Sequence, residues 1–473
     1  MCNPPLLNVN QTAESVRAAL RAWRTINSTK DDLLAFLLLV QERRRVVTRD
    51  SNPSTLRLAT NQVLLDGLDE LASKDEMAAR VLRARFLDDQ KALTVAHHVN
   101  LSQDQVFRVQ RQAIEHLTHI LLEREQGLRQ ERIQQLEAHL QAPTYGRLFG
   151  VAQAQRALVE TMLKPEAAEL VAIIGIGGIG KTSLADAVTR CVIRHFTFDQ
   201  VVWLRIETRT MSGISPGPNV TFQALLAALA EQLWPAADSP ANLPDLLWRV
   251  RRELKARPHL VVIDNLEAEA DTLYLLDHLR DLAGPSKFLL TTRTRPPATA
   301  NAFTLSLDEL EADDAAGLLR HYASEIGVKD LAQATPTEAD SIYQVTGGNP
   351  LALKLVVSLA AVLPLPQILQ DLTRGRPGPV GELYTRIYRR AWQILTPSAR
   401  RLLQIMPLAA ESGAGTEQMQ AISHLSGDSF WSAVSELVAR SLLEVRGTTW
   451  ERRYGIHRLT ETFLRTEILD WPE

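Results

Sequence analysis

Cysteine is almost missing from this chain: Cys2 and Cys191 are the two in 473 residues, and they lie far apart. A disulfide framework is therefore not expected, and both are read as inert thiols in a reducing compartment. Charge of either sign is not in excess. The formal net charge is −3, so the chain as a whole has no general pull toward nucleic acid or an anionic membrane. Long apolar runs are missing too. The longest, Leu351 to Leu365, is broken by Lys354 and Pro364 and is too short to span a bilayer. The opening MCNPPLLNVN has no basic stretch followed by an apolar core, so no signal peptide and no membrane contact are expected, and a cytoplasmic location is. What is present is ordinary for a globular protein, 45% hydrophobic and 23% charged. The length fits three or four domains.

The most informative stretch is Glu169 to Thr189, ELVAIIGIGGIGKTSLADAVT. Leu170 to Ile174 is a short apolar run of the kind that forms a buried parallel strand. Gly175 to Thr182 then fits G-x-x-x-x-G-K-[ST], and a helix follows. Phosphate oxygens must be approached by backbone N–H groups, which explains glycines at 175, 177, 178 and 180 around Ile179. Lys181 supplies a point charge between β- and γ-phosphates, the Thr182 hydroxyl a ligand for Mg²⁺, and Ser183 continues the helix start that faces the anion. Just upstream, Phe149, Gly150 and Val151 precede a helix expected over 152–163 and are candidates to lie over the adenine.

Three further strands are expected. Val201 to Ile206 is β-rich. His259 to Asn265 is four apolar residues ending in Asp264, a carboxylate placed to hold Mg²⁺ beside the phosphate loop. The next position is Asn265, which cannot accept a proton, so hydrolysis is expected to be slow or to depend on Glu267. Lys287 to Arg293 ends in Thr-Thr-Arg, and Arg293 is a candidate sensor of a γ-phosphate. Residues 305–372 read as helical. They include Gly347-Gly348-Asn349-Pro350, which by itself marks a turn before a helix.

The N-terminal 141 residues read as all-helical. Leu33 to Val40 is apolar nearly all round, the pattern of a buried helix. Residues 78–121 divide into a helix ending near Leu87, a second over 92–99, a tight turn, and a third starting at Gln103 with Ser102 as N-cap. That is helix-turn-helix spacing. It resembles the region-four fold of sigma factors and related regulators, and would make Gln103, Gln105, Arg108 and Arg111 the groove-facing candidates for DNA. Residues 1–145 nevertheless hold 19 Lys and Arg against 18 Asp and Glu, a net of +1. DNA binding normally requires a clearly basic face, so a protein-interaction module is the competing reading. Residues 122–141 read as a charged, solvated helix or connector.

Taken in order, the phosphate loop, the Trp-bearing strand, the Asp264 strand, Thr-Thr-Arg and G-G-N-P resemble the NB-ARC (AP-ATPase) class of STAND signal-transduction ATPases, over roughly residues 145–465. The resemblance implies an α/β P-loop NTPase core with a parallel sheet (142–295), an N-terminal all-α domain (1–141), a helical lid domain (296–374) and a C-terminal winged-helix domain (375–473) after a linker at Gly375 to Pro379. It implies that Pro350 packs on adenine. It also implies that His457, in Ile456-His457-Arg458-Leu459, touches the β-phosphate of ADP in a closed form. Arg458 stands where the family has Asp. The implied cofactors are ATP or ADP with Mg²⁺. The implied function is an ADP/ATP-operated switch with weak ATPase activity, signalling through its N-terminal domain to a protein partner or by self-association. A DNA-binding transcriptional regulator and a turnover ATPase are the alternatives. Repeats of the kind that sense a ligand in the family show no period here, so a sensor is expected on another chain or not at all.

Overall fold

The computed structural model describes residues 8–24, 33–47, 53–206, 217–234, 242–266, 269–373, 385, 388–389, 391–408, 413–440, 442–448, 451–456 and 458–469. The chain divides into two compact units. One is Met1–Ala138 with Arg194–Phe196, and the other is His139–Ile193 with Thr197–Glu473.

In the first unit the described elements are helical. They are α1 (Val9–Arg21), a 3₁₀ turn (Leu33–Phe36), α2 (Leu38–Val47), α3 (Pro53–Lys74), α4 (Glu76–Leu82) continued by a π turn (Arg83–Leu87), α5 (Ala92–His98) and α6 (Gln103–Glu137). Leucines and small residues from α1, α2, α3, α4 and α6 form one core, including Leu20, Leu37, Leu64, Leu68, Leu82, Ile114 and Leu117. Val81, Val95, Ala96 and Val106 form a smaller core that holds the last three helices together.

Two expectations are corrected here. The apolar run at 33–40 is not one buried helix. It breaks at Leu37 between the 3₁₀ turn and α2, and Phe36 is 72% exposed. The break is stabilised from a distance. Glu125 is buried, and its carboxylate accepts the Leu38 and Leu39 N–H groups at 2.9 and 3.0 Å. A carboxylate there satisfies orphan donors at a helix start and complements the dipole. The other concerns 122–141: of the two readings, helix or connector, it is helix, but not a separate one, because α6 runs unbroken to Glu137.

In the second unit, α7 (Ala152–Leu163) leads to β1 (Leu170–Ile174), α8 (Lys181–Ile193) and β2 (Gln200–Arg205). Then come α9 (Pro218–Leu233), α10 (Leu243–Ala256), β3 (His259–Leu266), α11 (Glu269–Leu282), β4 (Lys287–Thr292) and β5 (Phe303–Ser306). The five strands are parallel in the order β2-β3-β4-β1-β5. Every residue of β1 and β4 is buried, as helix-covered parallel strands require. The helical region was expected to begin at residue 305. Leu305 and Ser306 instead end an edge strand, short and half-exposed, paired to β1 from Val171↔Phe303 to Ile174↔Ser306.

The helices α12 (Ala312–Glu325), α13 (Lys329–Ala332), α14 (Pro336–Thr346), α15 (Pro350–Ala360) and α16 (Leu365–Thr373) follow. Beyond them lie α17 (Pro397–Ile405), β6 (Ala414–Gly415), α18 (Thr416–Ser423), α19 (Gly427–Ala439), β7 (Glu444–Gly447), β8 (Arg452–Gly455) and α20 (Arg458–Phe463). The last three strands pair antiparallel in the order β6-β8-β7. A single core runs from Leu310 to Leu464 across both groups of helices. The expected linker at 375–379 lies outside the described residues. Cys191 is buried on α8, and Cys2 lies outside the described residues. No helix among the described residues is long and apolar enough to cross a membrane.

Candidate functional site

The site forms at the carboxyl ends of β1, β3 and β4. In open parallel sheets the strand ends, with the loops that leave them, form the ligand crevice. The loop after β1 carries the expected glycines, and Gly178 and Gly180 have φ of 74° and 104°. At Gly180 that left-handed conformation excludes most side chains. Lys181, the first residue of α8, is buried, and its ammonium donates to the carbonyls of Gly175 and Ile176 at 2.8 and 2.9 Å. The side chain is thus folded along the loop; Ile179 is buried, and Ser183, one residue beyond Thr182, is half-buried.

Asp264 is 1% exposed and is the hub of the site. Its Oδ1 accepts from the Thr182 hydroxyl at 2.8 Å and from the Thr291 hydroxyl at 2.6 Å. Thr291 in turn accepts the Asn265 N–H at 2.9 Å. The strand that carries Asp264 is not next to β1: β4 is inserted between them, and Thr291 on β4 fills the step. Threonine in Thr-Thr-Arg therefore has a role at the site that its sequence context, read only for Arg293, did not reveal. A hydroxyl and a buried carboxylate are hard oxygen donors of the type Mg²⁺ takes, so Thr182 and Asp264 fit that ion.

Asn265 sits at φ 70°, in a bulge of β3, and its amide donates to the Ile206 carbonyl at 3.2 Å. Asn tolerates the left-handed region better than most residues. Arg293 is exposed, immediately after β4. Phe149 is half-buried against Gly317 of α12, with the Arg147 guanidinium 4.9 Å from its ring and the His321 ring at 5.6 Å. Gly150, at φ 68°, faces Leu310 and Asp314, and Val151 caps α7. Pro350 is the first residue of α15, at a helix start that touches the phosphate loop. His457 and Glu267 lie outside the described residues.

Two buried polar clusters brace the core. Lys287, at the start of β4, donates to the Thr161 carbonyl at 2.7 Å and to that of Lys164, closing the C-terminal end of α7. Burial lowers its pKa, against the opposing pull of Glu169. The Tyr145 hydroxyl donates to Asp186 of α8 at 2.7 Å, and Arg190 pairs with the same carboxylate at 2.9 Å. Burial first and this hydrogen bond second raise the Tyr145 phenol above its usual range.

Of the four candidate groove-facing residues, Gln103, Arg108 and Arg111 are exposed on α6. Gln105 is engaged elsewhere: it completes a capping box with Ser102, each side chain bonding the other's backbone N–H. His97 and His98 are both exposed.

Residues 151–328 match the NB-ARC domain family model. Disease resistance-like protein DSC1 of Arabidopsis thaliana is 28% identical over 194 residues, 40% of this chain and 15% of that protein. Regulatory protein AfsR of Streptomyces coelicolor is 26% identical over 304 residues, 62% of this chain and 29% of that one. The chain therefore spans less than a third of these relatives' length. Among solved structures, a STAND protein with a tetratricopeptide repeat sensor from Pyrococcus horikoshii aligns at 19% identity with a TM-score of 0.44, over 68% of this chain and 43% of that one. Residues 151–328, which carry the phosphate loop and the five-stranded parallel sheet, are thus similar to the NB-ARC domain.

Proposed function

We propose that this protein is a nucleotide-operated switch with slow ATP hydrolysis. Adenine nucleotide occupies the loop at 175–182. A magnesium ion held by Thr182 and Asp264 would neutralise the phosphate charge. Arg293 reads the γ-phosphate, and Pro350 and the Phe149–Val151 segment bound the base. ATP and ADP differ in contacts only at the γ-phosphate, and only such a difference in affinity can shift a conformational equilibrium.

The observation that carries this reading is mechanical. A backbone hydrogen bond ties the phosphate loop to the helical region, from Leu351 N–H at the start of α15 to Gly178 O (3.3 Å). That region shares one core with everything through Leu464. A change at the phosphates therefore acts on a large packed body. The α–β–α–α–β–β order from α17 to β8, with its three-stranded antiparallel sheet, supports reading that part as a winged helix. The N-terminal helical unit is the proposed output, through a protein partner or self-association.

The test is to denature the purified protein and identify the nucleotide released. Near-stoichiometric ADP is expected. An empty site that turns over ATP several times per second would contradict the switch and favour a working ATPase.

A second reading makes the output transcriptional. It is favoured by the α5–turn–α6 arrangement with exposed Gln103, Arg108 and Arg111, and by similarity to two proteins named regulatory protein AfsR. It predicts DNA retention that weakens steeply with salt. No retention at low salt would remove it.

A further inference from the structure

Asn349 stands just before Pro350, and its side chain is occupied on both sides. Its Oδ1 accepts the Leu351 and Ala352 N–H groups at 3.0 and 3.4 Å, capping α15. Because the oxygen is committed to two donors, the amide nitrogen must face the other way. It donates to the Gly177 carbonyl in the phosphate loop at 3.3 Å. The Leu351 N–H is shared with the next carbonyl, that of Gly178. Asn349 is 2% exposed, so neither bond competes with bulk water.

The approach of α15 to the loop depends on its neighbours. Gly348 has φ 74°, its carbonyl accepts the Leu310 N–H at 3.0 Å, and a Cβ there would meet the Leu310 carbonyl oxygen at 2.2 Å. The chain can reach Asn349 by this path only with glycine at 348.

We infer that Asn349 is a positioning residue that sets nucleotide affinity by fixing the Gly177–Gly178 peptide plane of the phosphate loop from the helical region, beside the Leu351 N–H that holds the next plane. In a trans peptide the N–H runs opposite to the C=O. Holding the carbonyls of Gly177 and Gly178 toward α15 turns the N–H groups of Gly178 and Ile179 away from it. Those are among the backbone donors that a phosphate loop offers to phosphate oxygens. The start of α15 thus sets the shape of the phosphate site without touching the ligand. Withdrawal of this helix would release both planes, so its seating and nucleotide affinity are reciprocally linked.

The inference rests on the nucleotide reading above, and the test separates the two. Asn349→Asp and Asn349→Ser keep a good N-cap but remove the amide donor. Asn349→Ala removes both functions. ADP affinity is measured by titration of a fluorescent ADP analogue into the nucleotide-stripped full chain, beside the melting temperature without nucleotide. The two cap-conserving variants should bind ADP about tenfold more weakly, the loss expected for one buried hydrogen bond, while melting close to wild type. The alanine variant should lose affinity and also melt lower. The inference is overturned if Asn349→Asp and Asn349→Ser bind ADP like wild type. It is also overturned if their loss of affinity comes with a melting shift as large as that of Asn349→Ala, since Asn349 would then be only a cap. A wild-type protein that itself fails to bind ADP would overturn the nucleotide reading, and this one with it.

Discussion

Replacing Asp264 with asparagine should separate two properties that usually fall together in a buried residue. The carboxylate is 1% exposed, and its Oδ1 accepts from two neutral hydroxyls, those of Thr182 and Thr291. Hydrogen bonds to a charged acceptor contribute about 1.5–3 kcal/mol each, but an ion buried without a counter-charge costs several kcal/mol. The two terms oppose one another. Asparagine keeps an acceptor and removes the charge, so the stability of the unliganded protein should change by no more than about 1 kcal/mol. Ligand-linked stability behaves differently. A ligand at about 100 times its Kd adds about 2.7 kcal/mol, which for a unit of this size is on the order of 5 °C in melting temperature. Melting curves are recorded without nucleotide, with ATP and EDTA, and with ATP and Mg²⁺. In wild type the Mg²⁺-dependent increment should appear in full, and in Asp264→Asn it should largely vanish. A variant that keeps the whole Mg²⁺ increment would refute the assignment. So would one that loses more than about 3 kcal/mol without ligand, the scale of a broken buried polar network, since Asp264 would then be structural.

Asn265→Asp should raise the rate of ATP hydrolysis by supplying a proton acceptor, at a stability cost of about 1 kcal/mol for the lost bond to Ile206. Unchanged turnover would show that Asn265 is not the brake. Glu125→Ala should destabilise the N-terminal unit by roughly 2–3 kcal/mol in a denaturant titration, because it leaves the Leu38 and Leu39 N–H groups without their acceptor. An effect below about 0.5 kcal/mol, the level of ordinary surface changes, would mean the break at Leu37 holds without it. His259 is buried, and burial lowers its pKa. The unfolded chain takes up this proton near the ordinary value of about 6.5, whereas the folded chain resists it until lower pH. Stability contributed by the neutral imidazole should therefore be intact above about pH 6.5 and fall on acidification below it. His259→Gln should flatten that slope, and an unchanged slope would assign it elsewhere.

The strands that build the site were legible because buried parallel strands are apolar throughout. The runs at 170–174, 259–266 and 287–292 match their expected positions to within a residue. The edge strand at 303–306 was not, since half-exposure on a short segment leaves little pattern to read. Strand order was illegible for a different reason. Nothing local to His259–Leu266 says that β4 will lie between it and β1, so the part played by Thr291 appeared only in three dimensions. Distance in sequence also hid the break at Leu37, whose stabilising carboxylate lies 87 residues away from Leu38. Asn349 lies in the Gly347-Gly348-Asn349-Pro350 turn, but its reach to Gly177 spans 172 residues, which no local pattern reveals. Local chemistry was readable in this chain, and the long-range pairings that assemble it were not.

The central claim is that phosphate binding at the loop after β1 controls this protein, and Lys181 tests it most directly. Its ammonium lies along the loop, bonded to Gly175 and Ile176, where a bound phosphate would take over those donors. ADP affinity of Lys181→Ala, measured by calorimetry beside wild type on folded, nucleotide-stripped protein, should fall at least about tenfold, the loss of one charge-assisted contact. Equal affinity in the two proteins would contradict the account.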